Sequence, residues 1–142
     1  MQKKAYHQKV YKEGGVVEAI TMLKERTVIG CREMVILKCR GGHRKSFIAR
    51  VDTGAKTSSM DLNLSTELSN ARIVKTKTIR SANGVNLRPI IEATIIIAGN
   101  EITSKFTLAD RTHMKYKILI ARNIIRKGKF LIDPLKPLKK TA

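Results

Sequence analysis

The stretch IARVDTGAKTSSM, Ile48 to Met60, runs from an apolar, strand-like segment straight into Asp52-Thr53-Gly54-Ala55. A carboxylate at a strand end, followed by a glycine that lets the backbone turn tightly, is held rigidly and faces outward, where it is available for chemistry. The same residue types also make an Asx turn with no chemistry at all, and one short motif does not separate the two readings. Other reactive side chains are sparse: cysteines at 31 and 39, and His7, His43 and His113. There is no H-E-x-x-H, no paired C-x-x-C, no phosphate-binding glycine loop and no G-x-S-x-G. Cys31, Cys39 and His43 could meet across a hairpin, but their spacing fits no zinc module, so the residues themselves predict no metal site and no cofactor. His113, in DRTHMKY, reads as an ordinary loop histidine with Asp110 in reach.

The elements around Asp52 read mostly as strands. EMVILKC and KSFIARV flank Gly41-Gly42, and ARIVKTKTIRSA and VNLRPIIEATIIIA flank Asn83-Gly84, the strongest short hairpin signal in the chain. Ala98-Gly99-Asn100 turns the chain again before EITSKFTLA. KILIA follows as a buried strand, RNIIRKG as one or two helical turns closed by Gly128, and KFLID as a last strand. Short β-branched strands at such intervals predict a small, closed all-β barrel with one short C-terminal helix. The barrel is expected over residues 27–134. It follows a basic N-terminal extension, 1–26, in which VVEAITMLKE has helical spacing, and precedes a basic tail, 135–142, where Pro137 interrupts regular structure.

Composition narrows the partners. The 142 residues carry 29 Lys and Arg against 11 Asp and Glu, a net charge of +18. Such a field attracts RNA, acidic peptides or acidic proteins. Aromatics make up 4 %, with no Trp, which argues against a base-stacking single-strand binder. No apolar run is long enough to cross a bilayer, and the N-terminus lacks the apolar core of a signal peptide. The expected location is the cytoplasm, with free thiols.

In order along the chain, VIGCREMV, ARVDTGAKTSSM, the Asn83-Gly84 hairpin, FTLADRTHMKY, ILIARNII and GKFLIDP resemble the retropepsin-like aspartic peptidases. They are closest to the family named ATP-dependent zinc proteases, which is associated with ATP-grasp ligases that add glutamates. The resemblance covers roughly Val28 to Pro134. It implies an acid-protease-like barrel and a homodimer in which Asp52 of each subunit forms the catalytic dyad on a twofold axis. It further implies that Thr53 links the two loops, that Gly54 lets substrate backbone approach, and that the Asn83-Gly84 hairpin is a lid. Ala55, Lys56, Asn83 and Gly84 would contact substrate, with Ala121 and Arg122 supporting the loop. The family name raises zinc; the ligands are not evident here.

Three departures from that pattern stand out. Lys56 replaces an acidic residue, so Arg122 must find another partner, with Asp61, Asp110 and Asp133 as candidates. Ala121 replaces a glycine, and Cys31 stands where the family often has tryptophan. Lys56, with Arg50, Arg80, Arg88 and Arg111 adding to the field, suits a glutamate-rich substrate; it reads equally as a solvated loop residue. The resulting expectation is an aspartic-type peptidase acting on peptide or isopeptide-like bonds in an acidic, even oligoglutamate, substrate, functionally linked to an ATP-grasp glutamate ligase. The alternative is a non-catalytic basic barrel that binds RNA non-specifically or an acidic protein. Its phosphate contacts would come from Lys3, Lys4, Lys9, Lys12, Lys136, Lys139 and Lys140. A retained fold without catalysis is the third reading.

Overall fold

The computed structural model describes residues 16–139. Most of the expected basic arm, with His7 and Lys3, Lys4, Lys9 and Lys12, lies outside the described residues, as does Lys140. Helix α1 (Val16–Lys24) forms where the apolar spacing predicts it, and none of its residues is buried.

The strands that follow are β1 (Val28–Ile29), β2 (Arg32–Lys38), β3 (Arg44–Val51) and β4 (Ser58–Asp61), then a single helical turn α2 (Leu62–Ser65). Next come β5 (Arg72–Ser81), β6 (Gly84–Ile97), β7 (Asn100–Ala109), β8 (Ile118–Ile120), helix α3 (Arg122–Lys127) and β9 (Leu131–Ile132). The expected last strand KFLID is therefore shorter, and the turn at Leu62 is an addition.

Sheet order is β2-β3-β8-β4-β7-β6-β5, and β2 also pairs with β6. That extra pairing closes six strands into a ring and leaves β5 outside it, bonded to β6 alone. The all-β barrel read from the sequence is the fold observed. Closure removes sheet edges that would otherwise offer unpaired N–H and C=O groups.

Alternation explains the core. In β2 the inward positions Glu33, Val35 and Leu37 are buried while their neighbours are not. In β6 the inward row is Ile91, Ala93, Ile95 and Ile97, facing Ile102, Phe106 and Leu108 of β7 and Ile118 and Ile120 of β8. Each fully buried Ile or Leu contributes about 1.5–3 kcal/mol, so this isoleucine-rich interior holds the barrel with few aromatics.

The turns differ in detail from their sequence reading. Gly41 and Gly42 both take left-handed φ, as the β2–β3 turn requires. The β5–β6 loop is Ala82-Asn83, one residue earlier than expected: Ser81 pairs with Gly84, whose φ of 114° starts β6. Gly128 sits at an ordinary helical φ of −76°. Its lack of a side chain matters because a Cβ there would fall 2.1 Å from the Phe130 ring. The left-handed residue that turns the chain away from α3 is Lys129.

A second, two-stranded sheet joins the two ends of the domain. β1 runs parallel to β9, pairing Val28 with Leu131 and Ile29 with Ile132. Just beyond it, Lys136 Nζ donates to both carboxylate oxygens of Glu33, at 2.7 and 3.0 Å. Glu33 is only 6 % exposed, so the segment after β9 is fastened to the barrel by a largely desolvated ion pair.

Candidate active site

Strand β3 delivers Asp52 beyond its last residue. Asp52 N donates to the Ile120 carbonyl at 2.8 Å, which extends the parallel β3–β8 ladder by one bond. The chain then turns: Gly54 N donates to Asp52 Oδ1 at 2.9 Å and Ala55 N to the Asp52 carbonyl at 3.4 Å. A Cβ on Gly54 would meet that same Oδ1 at 3.2 Å, so the glycine keeps the carboxylate close to its own turn. The turn is thus an Asx turn in its bonding. The second Asp52 oxygen and the Thr53 hydroxyl accept or donate nothing within the described residues, and Thr53 and Gly54 are exposed.

The strand–helix junction after β8 holds this loop from behind. Arg122 N donates to the Ala55 carbonyl at 3.0 Å, and Arg122 Nη1 to the Thr53 carbonyl at 3.1 Å. Arg122 therefore binds main chain and not a carboxylate. The three carboxylates considered for it are occupied elsewhere. Asp61 accepts from Arg111 N at 2.7 Å, Asp110 from Thr112 N at 3.0 Å, and Asp133 from Leu135 N at 2.9 Å. Without a carboxylate at position 56, the guanidinium takes the nearest strong acceptor, a loop carbonyl. Ala121 is fully buried at φ −107°, a conformation any residue adopts, so the missing glycine costs no backbone strain.

Under the junction lies a polar network the sequence did not signal. Ser58, fully buried, accepts from Ala121 N at 2.8 Å and donates to Asn123 Oδ1 at 2.7 Å. Ser58 N also donates to Asn123 Oδ1, while Asn123 Nδ2 donates to Ser104 Oγ and to the Lys105 carbonyl. Both ends of the Asn123 amide are satisfied, so β4, β7 and α3 are locked together directly beneath the Asp52 loop. The only sequence cue was Ser58 at an inward strand position and Asn123 after Arg122. Neither reveals a partner 65 residues away.

The other expected site residues are distributed as follows. Lys56 is exposed on the Asp52 loop, and Arg50, two residues before Asp52, is exposed directly opposite Arg32. Asn83 and Gly84 lie at the tip of the β5–β6 hairpin, a separate element. Arg80 and Arg88 sit on that hairpin as well, on opposite faces. Arg111 is drawn into its own loop, with Nε donating to the Tyr116 carbonyl; burial lowers its pKa and the Asp61 charge opposes that shift. His113 is exposed beside Asp110. Thr112, through its hydroxyl and its N–H, holds the Asp110 carboxyl below the usual range, with a smaller contribution from the charge of His113.

Cys31 and Cys39 stand at opposite ends of β2, about 25 Å apart at strand rise, so they neither bridge nor share a ligand with His43. Among the described residues no group of three His, Cys, Asp or Glu is placed to hold a metal ion, and the zinc of the family name finds no donor set there. No helix of the described chain is long and apolar enough to cross a membrane.

A closed barrel with an Asp-Thr-Gly turn braced by an Arg-Asn junction, and with one hairpin projecting from the ring, defines a retropepsin-like fold. The model of a family described as RimB-like, retropepsin-like aspartic endopeptidase RimB, matches residues 63–140, more than half of the chain, which therefore belongs to that family. The matched stretch begins after Asp52 and includes the hairpin, the β8–α3 junction and β9. Among solved structures, a protein of unknown function from Legionella pneumophila subsp. pneumophila str. Philadelphia 1 is similar. Its TM-score is 0.56 at 19 % identity, covering 80 % of this chain and 97 % of that one, a likeness of fold. No curated protein matches the chain.

Proposed function

We propose that two copies of the chain pair about a twofold axis to form an aspartic-type peptidase, with Asp52 of each subunit as its dyad. The observation that carries this reading is the Asp52 loop itself. It is locked from behind by Arg122 and the Ser58–Asn123 network, yet it leaves one carboxylate oxygen and the Thr53 hydroxyl unmet in a single chain. A second loop brought against the first would meet both. Two further features support pairing. The β1–β9 sheet has only two strands, an arrangement marginal by itself, and Val28 in it is 40 % exposed. Val85 and Leu87, on the hairpin face continuous with the core row of β6, are 63 % and 67 % exposed, apolar area that closure over a partner would cover.

Two carboxylates so close cannot both be ionised, so they share one proton. The ionised one takes a proton from water as that water attacks the scissile carbonyl. The protonated one donates to the carbonyl oxygen; as the C–N bond breaks, the proton taken from water passes to the leaving amine and the new hydroxyl returns its proton to the dyad. Gly54 and Ala55 present no side-chain bulk to a substrate backbone. The hairpin closing over the site with Asn83 and Gly84 at its tip would exclude water. Lys56 beside the dyad, with Arg50 behind it, favours acidic side chains. The substrate class is accordingly an acidic peptide or an isopeptide-like oligoglutamate tail, of the kind an ATP-grasp glutamate ligase makes. No step requires a metal.

Asp52→Asn tests this. It should leave the unfolding midpoint and the dimer intact while abolishing hydrolysis of a fluorogenic glutamate-rich peptide. Unchanged hydrolysis, or a monomer at every accessible concentration by size exclusion with light scattering, would remove the dyad.

A further inference from the structure

The β5–β6 hairpin has two chemically different faces. Val85, Leu87 and Pro89 continue the inward row of β6 and pair with Arg80, Thr78 and Thr76. On the opposite face Lys77 stands directly across from Arg88, and Lys75 lies next along the same row, opposite Ile90. Nearer the barrel the row continues with Arg72, Glu92 and, on β7, Lys105. A bulge between Ile73 and Lys75 sets this phase, turning both lysines outward.

Cations placed directly opposite one another across strands repel. Two lysines elsewhere in the described chain meet carboxylates, Lys38 with Glu101 and Lys45 with Glu67. On the hairpin, Glu92 serves Arg72 alone, and Lys75, Lys77 and Arg88 have no acidic partner among the described residues. Alternate residues of a strand recur about every 6.7 Å, so the row is a regularly spaced set of cationic donors.

We propose that this outer face docks the phosphate backbone of RNA. The fit is to phosphate rather than to a protein surface. The face lacks an exposed apolar centre, since Ile79 is half-buried and Ile90 buried, while Ile73, Val85 and Leu87 belong to the opposite row; Val74, in the bulge, has no cross-strand partner. No aromatic residue lies between Arg72 and Glu92, so the contacts are to the backbone and carry no base preference. This face is distinct from the apolar face assigned to the lid.

The test compares two triple variants that remove equal charge. One is Lys75→Ser/Lys77→Ser/Arg88→Ser; the other is Arg40→Ser/Lys115→Ser/Arg126→Ser, at exposed positions away from the hairpin. Binding of a labelled single-stranded RNA of mixed sequence is followed by anisotropy across a salt series, and circular dichroism verifies the fold of each variant. Three lost phosphate contacts reduce the slope of log affinity against log salt by about 2, which is roughly a 100-fold loss at 0.1 M salt. The control variant should lose less than about fivefold, and exchanging one RNA sequence for another should change little. Equal losses in the two variants would overturn the proposal. So would a hairpin variant that keeps RNA affinity but loses binding to poly-L-glutamate, because the face would then serve carboxylates.

Discussion

Ser58→Ala isolates the polar lock beneath the Asp52 loop. The hydroxyl is fully buried and makes two bonds, accepting from Ala121 N and donating to Asn123 Oδ1. Removing it strands the Ala121 N–H in a fully buried residue, at about 1–3 kcal/mol, and loses a neutral bond worth about 0.5–1.5 kcal/mol. Asn123 Oδ1 keeps the Ser58 N–H, so its desolvation adds little. The expected loss is about 2–4 kcal/mol, a large part of the roughly 5–15 kcal/mol that stabilises a domain. With a urea slope near 2 kcal/mol/M, the midpoint falls by about 1–2 M with the slope unchanged. Ser59→Ala is the matched control: its neighbouring hydroxyl makes no bond in the described chain, and its stability should stay within about 0.5 kcal/mol of the parent. A Ser58→Ala/Asn123→Ala double variant should fall short of additivity by about 1 kcal/mol or more. A Ser58→Ala loss below about 0.5 kcal/mol, or strict additivity, would refute the idea that this network braces the loop.

Arg122→Met removes the guanidinium bond to the Thr53 carbonyl; stability should drop by about 1 kcal/mol, while hydrolysis of an acidic peptide falls more than tenfold as the loop loosens. Lys136→Met leaves Glu33 buried without its partner and should cost about 3–5 kcal/mol, seen as a lowered urea midpoint, whereas adding Glu33→Met should recover most of that loss. Thr112→Val removes the hydroxyl that holds the Asp110 carboxyl below its ordinary value, so the Asp110 pKa read by NMR should rise toward 3.8. Because that carboxyl is depressed in the folded state, its stabilising effect is present at neutral pH and is lost as pH falls through the folded value. The variant and parent should therefore converge in stability only in strong acid.

The fold was legible where one residue type decides local geometry. Inward and outward alternation in β2 and β6 marks the strands, and the glycines at 41 and 42 mark their turn. The Asp52 loop was legible too, because Asp and Gly at a strand end permit few backbone shapes. Arg122's partner was not, because the acceptor is a backbone carbonyl, and every residue carries one. Ser58 and Asn123 gave no signal because a buried polar pair is defined by its separation in space, and here 65 residues intervene. The one-residue displacement at Asn83-Gly84 has a similar origin: the cross-strand register of β5, including its bulge, chose which residue takes the positive φ.

The parallel ladder between Val28–Ile29 and Leu131–Ile132 joins segments roughly a hundred residues apart. Closing so long a loop is entropically unfavourable until the intervening barrel has formed. The ladder is therefore expected to close only after the barrel it spans. In the proposed dimer, any contact made through the β1–β9 sheet would then have to wait for the barrel, which places folding before assembly.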